Sequence, residues 1–296
     1  MTDPYPILEV EQKGIGTLEE MGSKPKFWHT HPVDDENWLF KYPRCNAGEH
    51  WAEKIAAEIA NQIGIPHARV ELAVFQDTKG SSTKSFVSDG QELVHGNQLM
   101  SWYVSGYDPK IEYNQSSHIL PNIWSVADQV FKHHKSKTAA KLRLAEYIVF
   151  DALIGNTDRH HENWGILRWR IDNRWRGIVA PTFDHASSLG RELRDERRET
   201  FLTQNRIGDY VGRGRGAIYW SENDQHGPSP LELLRRAFPV YPDLFLPALV
   251  KLDRLSDEYI ENAVRRIPDS WISKSARAFA IQFMNYSLRQ LRELQR

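Results

Sequence analysis

The stretch that decides the fold reads Gly155-Asn156-Thr157-Asp158-Arg159-His160-His161-Glu162-Asn163-Trp164-Gly165-Ile166-Leu167. It follows an apolar helical run and leads into an alternating strand pattern. Asp158, at the end of the helix, carries a carboxylate that can accept a proton from a hydroxyl nucleophile. Asn163 carries an amide oxygen that can help to hold a divalent cation. A second acid follows at Asp184, and together the three side chains suggest phosphoryl transfer assisted by Mg²⁺.

The composition indicates a soluble globular protein of 296 residues, with 26% charged residues and a formal net charge of −1. Because the charge is balanced, we expect no direct nucleic-acid binding. The single cysteine, Cys45, excludes an internal disulfide and a multi-thiolate zinc site, and it fits a reducing compartment. We find neither a signal peptide nor the roughly 20 consecutive apolar residues that span a bilayer, so we expect a cytoplasmic protein without a membrane partner.

A basic turn near the N-terminus is the candidate for a phosphate-binding loop. It contains Gly22, Ser23, Lys24 and Lys26, whose backbone N–H groups and ammonium groups can bind the phosphates of ATP. The two common nucleotide fingerprints, Gly-x-x-x-x-Gly-Lys-Ser/Thr and Gly-x-Gly-x-x-Gly, do not occur in the sequence. A solvated basic turn is the alternative interpretation of the same residues.

Lys41 is the only charged residue in a short hydrophobic strand, residues 38–42. Such a lysine lies at a sheet edge or is held by a carboxylate. The next helix, which ends at the stop signal Gly64-Ile65-Pro66, offers Glu49 and Glu53 one turn apart on one face. A strand lysine paired with a helix glutamate orients the α- and β-phosphates in protein kinases. A surface ion pair is the simpler alternative.

The rest of the N-terminal part is predicted to be a mostly antiparallel sheet that carries this one helix. The pattern indicates strands at 7–10 and 69–75, a turn at 77–82, and a second hairpin strand at 84–88 that is broken at 88–92. We therefore place a small β-rich lobe at 1–95 and a larger, mostly helical lobe at 96–296.

Helical periodicity dominates the second part. We expect helices at 120–131, 138–154 and 272–294, and further helices that open at Pro228-Ser229-Pro230, at Pro242 and at Ser256. Residues 164–169 and 175–180 are predicted to form a hairpin around the turn Asp172-Asn173. We expect this hairpin to bring Asp184 beside Asn163, because two oxygen ligands together with waters and phosphates suit Mg²⁺.

Two charged segments and three histidine pairs need a separate interpretation. Residues 192–199 are charge-dense and are predicted to be exposed. Residues 211–216 (Val-Gly-Arg-Gly-Arg-Gly) are similar to an RNA-binding Arg-Gly tract, but a single short occurrence favours a flexible basic loop. His29 with His31, His133 with His134 and His160 with His161 suggest zinc, yet adjacent histidines rarely face one site and no cysteines or carboxylate series completes a ligand set.

The order of these parts resembles the HipA-like family of serine/threonine kinases, within the kinase-like group that includes phosphatidylinositol kinases. The resemblance spans about residues 20 to 190. It is carried by residues 21–28, 39–43, the helix and its stop at 49–66, the central stretch at 150–165, and Phe183-Asp184. The aspartate–asparagine motif is its most specific part, and the glycine turn is its least specific part.

The resemblance implies a two-lobed α+β protein-kinase-like fold with ATP and Mg²⁺ in its cleft. It implies Asp158 as the catalytic base, Asn163 and Asp184 as Mg²⁺ ligands, Lys41 on the α- and β-phosphates, and the Gly22–Lys26 turn over the phosphates. The implied acceptor is a protein serine or threonine hydroxyl. By the same analogy Ser23 is a candidate autophosphorylation site, where a phosphate would add negative charge beside ATP and switch the enzyme off.

The chain also departs from the family pattern. Longer members have an extra N-terminal subdomain before the phosphate loop, where this chain has only about 20 residues. The family's toxins bind a DNA-binding antitoxin, and nothing in this sequence requires such a partner. Two other functions stay open: a small-molecule or lipid kinase of the same fold, and a non-catalytic pseudokinase that acts as a binding module. The presence of all four residues Lys41, Asp158, Asn163 and Asp184 argues against the pseudokinase.

Overall fold

A computed structural model describes residues 3–12, 15–18, 25–31 and 34–295. The chain forms two compact units. The first consists of Met1–Phe86, Asp184–Ile207 and Arg254–Tyr286, and the second of Val87–Phe183, Gly208–Asp253 and Ser287–Arg296. Both units mix strands and helices, which confirms the predicted α+β class. The division into lobes at residue 95 stays a prediction.

The first unit contains a six-stranded sheet with the order β1-β5-β6-β4-β3-β2. Its neighbouring strands run antiparallel, as predicted, except that β1 is parallel to β5. This arrangement places β4, which ends at Lys41, inside the sheet between β3 and β6. The strands are β1 (Ile7–Glu9), β2 (Ile15–Leu18), β3 (Lys26–Thr30), β4 (Asn37–Lys41), β5 (Val70–Phe75) and β6 (Thr78–Lys84).

The β5–β6 hairpin corrects the predicted turn at 77–82 and the predicted strand at 84–88. The turn consists of Gln76 and Asp77 alone, which both have positive φ (47° and 62°), and β6 begins directly after it. Gly80 lies inside this strand. Only glycine fits there, because a Cβ would come within 2.5 Å of the Lys41 carbonyl oxygen. A glycine that usually marks a turn is therefore required here by the close approach of β4.

Helix α1 (Glu49–Ile63) packs on β5 and β6 and ends where the sequence predicts. Gly64 adopts a left-handed conformation (φ 71°), and its N–H bonds to the carbonyl oxygens of Ala60 and Asn61. The buried aromatic rings of Phe27, Phe40 and Phe75 form part of the core of the sheet, with ring centroids of Phe27 and Phe40 5.2 Å apart. This packing holds the strand that precedes Lys41 in place.

The second unit contains a three-stranded antiparallel sheet of β7 (Gln91–His95), β8 (Gly165–Ile171) and β9 (Arg174–Val179). The β8–β9 hairpin and its turn, in which Asp172 and Asn173 have φ of 49° and 57°, agree with the prediction. Strand β7 does not agree, because residues 88–92 were expected to break the sheet. The backbone of β7 pairs with β8, and Gly165 permits this approach, since a Cβ there would lie 2.5 Å from the Val94 carbonyl oxygen.

The helices of this region are α2 (Gly96–Tyr103), α3 (Leu120–Val130), α4 (His134–Ile154), α7 (Pro230–Ala237) and α8 (Pro242–Lys251). Helix α4 packs against α3, α7 and α8, and its C-terminal half is almost entirely buried. It begins one turn before the predicted Thr138 and ends at Gly155, which has a φ of 67°. Because Gly155 reverses the chain, the central stretch starts at a defined point in the core of this unit.

Helices α5 (Asp195–Thr203), α6 (Ile207–Arg213), α9 (Asp257–Arg265) and α10 (Lys274–Glu293) complete the fold. Ser256 caps α9 by accepting the Tyr259 N–H, as predicted. The prediction that 192–199 is exposed is wrong for Arg198, which is buried in α5 and donates to Asp195 (2.8 Å) and to the Gly190 carbonyl oxygen (2.9 Å). Among the described residues, we find no helix that is both long and apolar enough to cross a bilayer.

Candidate active site

The turn that carries Asp158 is held by side-chain hydrogen bonds from the end of α4. Asn156 Nδ2 donates to Asp151 Oδ1 (2.9 Å), and the Asp158 backbone N–H donates to Asn156 Oδ1 (3.1 Å). Asp151 and Asn156 are buried, whereas the Asp158 side chain is partly exposed. The turn therefore fixes the backbone of Asp158 while its carboxylate stays accessible to a substrate.

Asn163 is bonded back to the same turn. Its Nδ2 donates to the Asp158 carbonyl oxygen (2.7 Å), and the residue is buried. Because the amide nitrogen is used in this way, the Oδ1 atom is the group that can act as a metal ligand. A hydrogen bond from the Asn163 side chain to the Asp158 backbone thus joins the two predicted residues of the central stretch.

Arg159 is a central residue of this site that the sequence interpretation missed. Its Nε and Nη2 atoms each donate at 2.7 Å to the buried carboxylate of Asp151. The remaining donors reach the carbonyl oxygens of Asn163 (2.5 Å) and Phe183 (3.3 Å) and the hydroxyl of Thr182 (2.9 Å). One guanidinium therefore ties the end of α4 to the segment just before Asp184. Asp151 and Arg159 are eight residues apart on either side of the end of α4, and no helical or strand periodicity predicts a contact across such an end.

The other predicted group lies in the first unit and centres on Lys41. The Lys41 Nζ donates to Glu53 Oε1 (3.0 Å), and Glu53 Oε2 accepts the Ser81 hydroxyl (3.1 Å). Glu53 is 1% exposed, so this is a buried ion pair and not a surface pair. Glu49 instead binds Arg191 Nη1 (2.7 Å) and the Arg44 backbone N–H (2.9 Å). The geometry thus decides between the two glutamates that the sequence left open.

Asp184 completes this group. Its carboxylate lies 3.4 Å from Lys41 Nζ, and its backbone is left-handed with a φ of 56°. Such a φ is uncommon outside glycine and often marks a functional constraint. Burial alone would lower the pKa of Lys41, but the attraction of Asp184 and Glu53 outweighs it and raises the pKa well above its usual value. Lys41 is therefore a permanent cation at neutral pH.

The predicted phosphate turn falls mostly on residues that lie outside the described part of the chain: Gly22, Ser23 and Lys24. Lys26 is described and begins β3, directly opposite Lys41 in the β3–β4 register. Directly opposed residues in an antiparallel pair point to the same face of a sheet. Lys26 and Lys41 therefore share one face of the sheet in the first unit.

The two residues that are predicted as metal ligands each carry an oxygen donor. Asp184 offers a carboxylate, and Asn163 offers an amide oxygen. Mg²⁺ prefers such oxygen ligands, and it usually takes only one or two from the protein and the rest from water and phosphates. The chemistry of the donor set is thus compatible with the predicted Mg²⁺.

The adjacent histidines of the central stretch point to different partners. His161 Nδ1 lies 2.6 Å from the Tyr107 hydroxyl, whereas His160 Nε2 lies 3.6 Å from Glu112 Oε1. Glu162 also presents a carboxylate near His160, so the prediction that no carboxylates accompany the histidine pairs is wrong for this residue. His160 Nδ1 accepts from the Glu162 backbone N–H (3.3 Å), which leaves Nε2 as the ring nitrogen that faces Glu112.

His118 supports the central stretch from within the core of the second unit. Its Nδ1 donates to the Ala217 carbonyl oxygen (2.9 Å), and its Nε2 accepts from Trp164 Nε1 (3.1 Å). The bond that Nε2 accepts requires the neutral imidazole. Burial lowers the pKa of His118 to about 3.

This histidine makes stability depend on pH. The folded pKa lies below the unfolded value of about 6.5, so the unfolded chain binds more protons between these values, and the free energy of unfolding falls as the pH is lowered through this range. We expect His118→Gln to make the slope of the unfolding free energy shallower by about 1.4 kcal/mol per pH unit between about pH 6 and 4.5. Urea unfolding at a series of pH values measures the slope. The exposed His134→Gln serves as the control, and equal slopes in both variants would contradict the assignment.

Comparison with known proteins supports the kinase-like fold. The family model described as "HipA-like C-terminal domain" matches residues 19–221. The serine/threonine-protein kinase CtkA of Helicobacter pylori is 27% identical over 143 residues. That alignment covers 47% of this chain and 40% of the relative, so this chain matches less than half of the relative's length.

Two solved structures share the fold over almost the whole chain. The crystal structure of the Helicobacter pylori proinflammatory kinase CtkA has a TM-score of 0.81 at 19% identity and covers 98% of this chain and 97% of its own. HipA of Shewanella oneidensis, solved as a toxin–antitoxin complex with HipB and operator DNA, has a TM-score of 0.61 at 14% identity and covers 96% and 68%, respectively. At these identities the likeness establishes the fold.

Proposed function

This chain belongs to the HipA-like C-terminal domain family, and on that premise we propose that it is an ATP- and Mg²⁺-dependent kinase that phosphorylates a serine or threonine of a protein. The observation that carries the proposal is the buried Lys41–Glu53 pair with Asp184 beside it. Burying a pair of charges costs desolvation free energy, so a buried pair favours a functional role. Lys41 and Glu53 have the residue types of a kinase phosphate site.

Each residue has a defined role in the proposed reaction. The acceptor oxygen forms a bond to the γ-phosphorus while the bond from that phosphorus to the bridging oxygen of ADP breaks, and ADP leaves with the electron pair. Asp158 accepts the proton of the hydroxyl. Lys41, oriented by Glu53, binds the α- and β-phosphate oxygens. Mg²⁺, for which Asn163 and Asp184 each offer an oxygen ligand, would neutralise the charge on the phosphates.

The acceptor class is tested by labelling with [γ-³²P]ATP. The purified chain is incubated with separated protein, metabolite and lipid fractions of a cell extract, and label is expected in the protein fraction. Label in the metabolite or lipid fraction alone would identify a small-molecule or lipid kinase instead. A thermal shift with ATP that requires Mg²⁺, without label in any fraction, would identify a nucleotide-binding pseudokinase.

Glu53→Gln tests the role of the Lys41–Glu53 pair. The substitution removes the charge that orients Lys41 but keeps the size of the side chain. We expect kcat/KM for ATP to fall about 10- to 100-fold, the equivalent of one charge-assisted hydrogen bond. Glu49→Gln is the matched control, because Glu49 is buried on the same helix one turn earlier but binds Arg191. Equal losses of kcat/KM in both variants, measured on folded protein, would contradict the role of Glu53.

Autophosphorylation of Ser23 is part of the proposal. It rests on the family and on the sequence position of Ser23 in the predicted basic turn, and Ser23 itself lies outside the described residues. Mass spectrometry of protein incubated with ATP and Mg²⁺ is expected to find phosphate on Ser23 and slower labelling of substrate afterwards. Phosphate that appears only elsewhere on the chain would remove this part of the proposal.

An antitoxin-type partner is a further part of the proposal, because the structure of the Shewanella oneidensis HipA contains HipB and operator DNA. Purification of the tagged chain from its native cells, followed by size-exclusion chromatography, is expected to yield a stable complex with a DNA-binding protein. Elution of the chain alone would argue against such a partner and would leave the kinase assignment intact.

A further inference from the structure

The Arg-Gly segment at 211–216 is the sequence motif that the proposed reaction does not use. Its first residues, Val211–Arg213, belong to the end of α6. The residues that follow are held in place: the Ala217 N–H donates to the Thr157 carbonyl oxygen (3.0 Å), and the Gly216 N–H donates to the Pro228 carbonyl oxygen (2.9 Å). The predicted loop is therefore helical at 211–213, and Ala217, directly after the segment, is bonded to the residue that precedes Asp158.

Two glycines allow this close packing. A Cβ at Gly227 would lie 2.0 Å from the Gly216 carbonyl oxygen, and a Cβ at Gly216 would lie 2.7 Å from the Pro228 carbonyl oxygen. Larger residues at these positions would push the segment away from Thr157. Gly216 and Gly227 thus allow the backbone after Arg215 to pack against the backbone at residues 227 and 228, close to Asp158.

A pocket opens at this junction within the second unit. It has a volume of about 310 Å³, and its walls include Asp158, Thr157, Arg215, Glu112 and His226. This volume is at the lower end of the range of about 300–1,000 Å³ for small-ligand sites. It is large enough for a short piece of a peptide chain, and it places any group that enters it against Asp158.

Arg215 gives the pocket its charge preference. Within the described residues, it makes no hydrogen bond and no ion pair, and its side chain is exposed. The carboxylate of Glu112, another lining residue, lies 3.6 Å from His160 Nε2. Asp158 is the carboxylate that the proposed reaction uses, and the Arg215 guanidinium is the group that binds carboxylates with two parallel bonds.

We propose that this pocket binds the acceptor and that Arg215 selects protein segments with Asp or Glu next to the phosphorylated serine or threonine. The proposal rests on the proposed kinase function, in which Asp158 takes the acceptor proton. The pocket holds the residues around the hydroxyl, and the guanidinium of Arg215 binds the neighbouring carboxylate. Arg215 acts as a specificity-determining residue and takes no part in the bond changes.

The first test measures binding and does not depend on catalysis. The probes are two fluorescent peptides with alanine in the acceptor position, one flanked by Asp and Glu and the other by Asn and Gln. We expect the acidic peptide to bind the full chain about tenfold more tightly than the neutral peptide, and Arg215→Glu to abolish this difference. Arg213→Glu is the matched control, because Arg213 is exposed two residues earlier and does not line the pocket. Equal affinity of the wild type for both peptides would overturn the proposal. An equal loss of the preference for the acidic peptide in Arg215→Glu and Arg213→Glu would also overturn it.

The second test uses the corresponding serine peptides and [γ-³²P]ATP. The ratio of kcat/KM for the acidic peptide to that for the neutral peptide is expected to fall about tenfold in Arg215→Glu and to stay unchanged in Arg213→Glu. Binding of the acidic peptide without phosphorylation of any peptide would refute the kinase function but not the pocket. Equal phosphorylation of both peptides by the wild type would refute the pocket but not the kinase function.

Discussion

Asp158→Asn is expected to lower the rate of phosphate transfer by about 10²–10⁴-fold, the range that a general base contributes. This corresponds to about 3–5 kcal/mol in the activation barrier. The amide of Asn has the shape of the carboxylate but cannot take the hydroxyl proton at neutral pH. The rate is measured as the initial incorporation of ³²P into a protein acceptor at saturating ATP.

The fold should survive this substitution. Two bonds that hold the turn are made by the Asp158 backbone, which donates to Asn156 and accepts from Asn163, and the substitution keeps both. We therefore expect the unfolding midpoint and the Mg²⁺-dependent binding of ATP to change little. Asp172→Asn, in the exposed turn between β8 and β9, is the control for loss of a negative charge in the same unit. Wild-type transfer rates in Asp158→Asn would refute the catalytic role.

Arg159→Leu is expected to destabilise the protein by about 3–5 kcal/mol, because it leaves the buried Asp151 carboxylate without its partner. Asp151 is 3% exposed and Arg159 is 4% exposed, so water cannot replace the lost bonds. The carbonyl oxygens of Asn163 and Phe183 lose a donor as well. Against a typical total of about 5–15 kcal/mol, the loss is a large fraction of the stability.

A double-mutant cycle separates the ion pair from the rest of the network. The free energy of unfolding is measured in urea for Arg159→Leu, Asp151→Leu and the double variant. We expect the double variant to lose less stability than the sum of the two single losses, because no charge is left buried alone. Arg143→Leu is the control, since Arg143 forms a more exposed pair with Glu146 on α4, and it should cost at most about 1 kcal/mol. A comparable loss for Arg143 and Arg159 would contradict the importance of burial.

Several parts of the candidate site could be predicted from the sequence because short-range signals define them. The helix before Asp158 ends at a glycine, and the motif supplies the carboxylate and the amide at close spacing. Lys41 stood out because a lysine in a hydrophobic strand needs a partner. Their catalytic roles stay predictions, whereas the Lys41–Glu53 pair and the Asp158–Asn163 bond are present in the structure.

Other parts could not be predicted because they depend on contacts between residues that are distant in sequence. Glycine is typical of turns, yet Gly80 lies in a strand. A glycine is needed there because β4 passes too close for a side chain. Strand β7 has a weak strand pattern and is defined by its backbone pairing with β8. Arg159 and Arg198 have the polarity of surface residues, and only their buried acceptors explain their position.

The sequence by itself determined the local structure: the ends of α1 and α4 at left-handed glycines, the cap at Ser256 and the turn at Asp172-Asn173. These features depend on backbone preferences and on hydrogen bonds between near neighbours, which a few residues specify completely. The tertiary structure alone decided which side chains meet, such as Glu53 and not Glu49 with Lys41, and Arg215 beside Asp158 in one pocket. The reason is physical: the choice of partner depends on strand register, helix phase and close packing, and these are set by the whole fold.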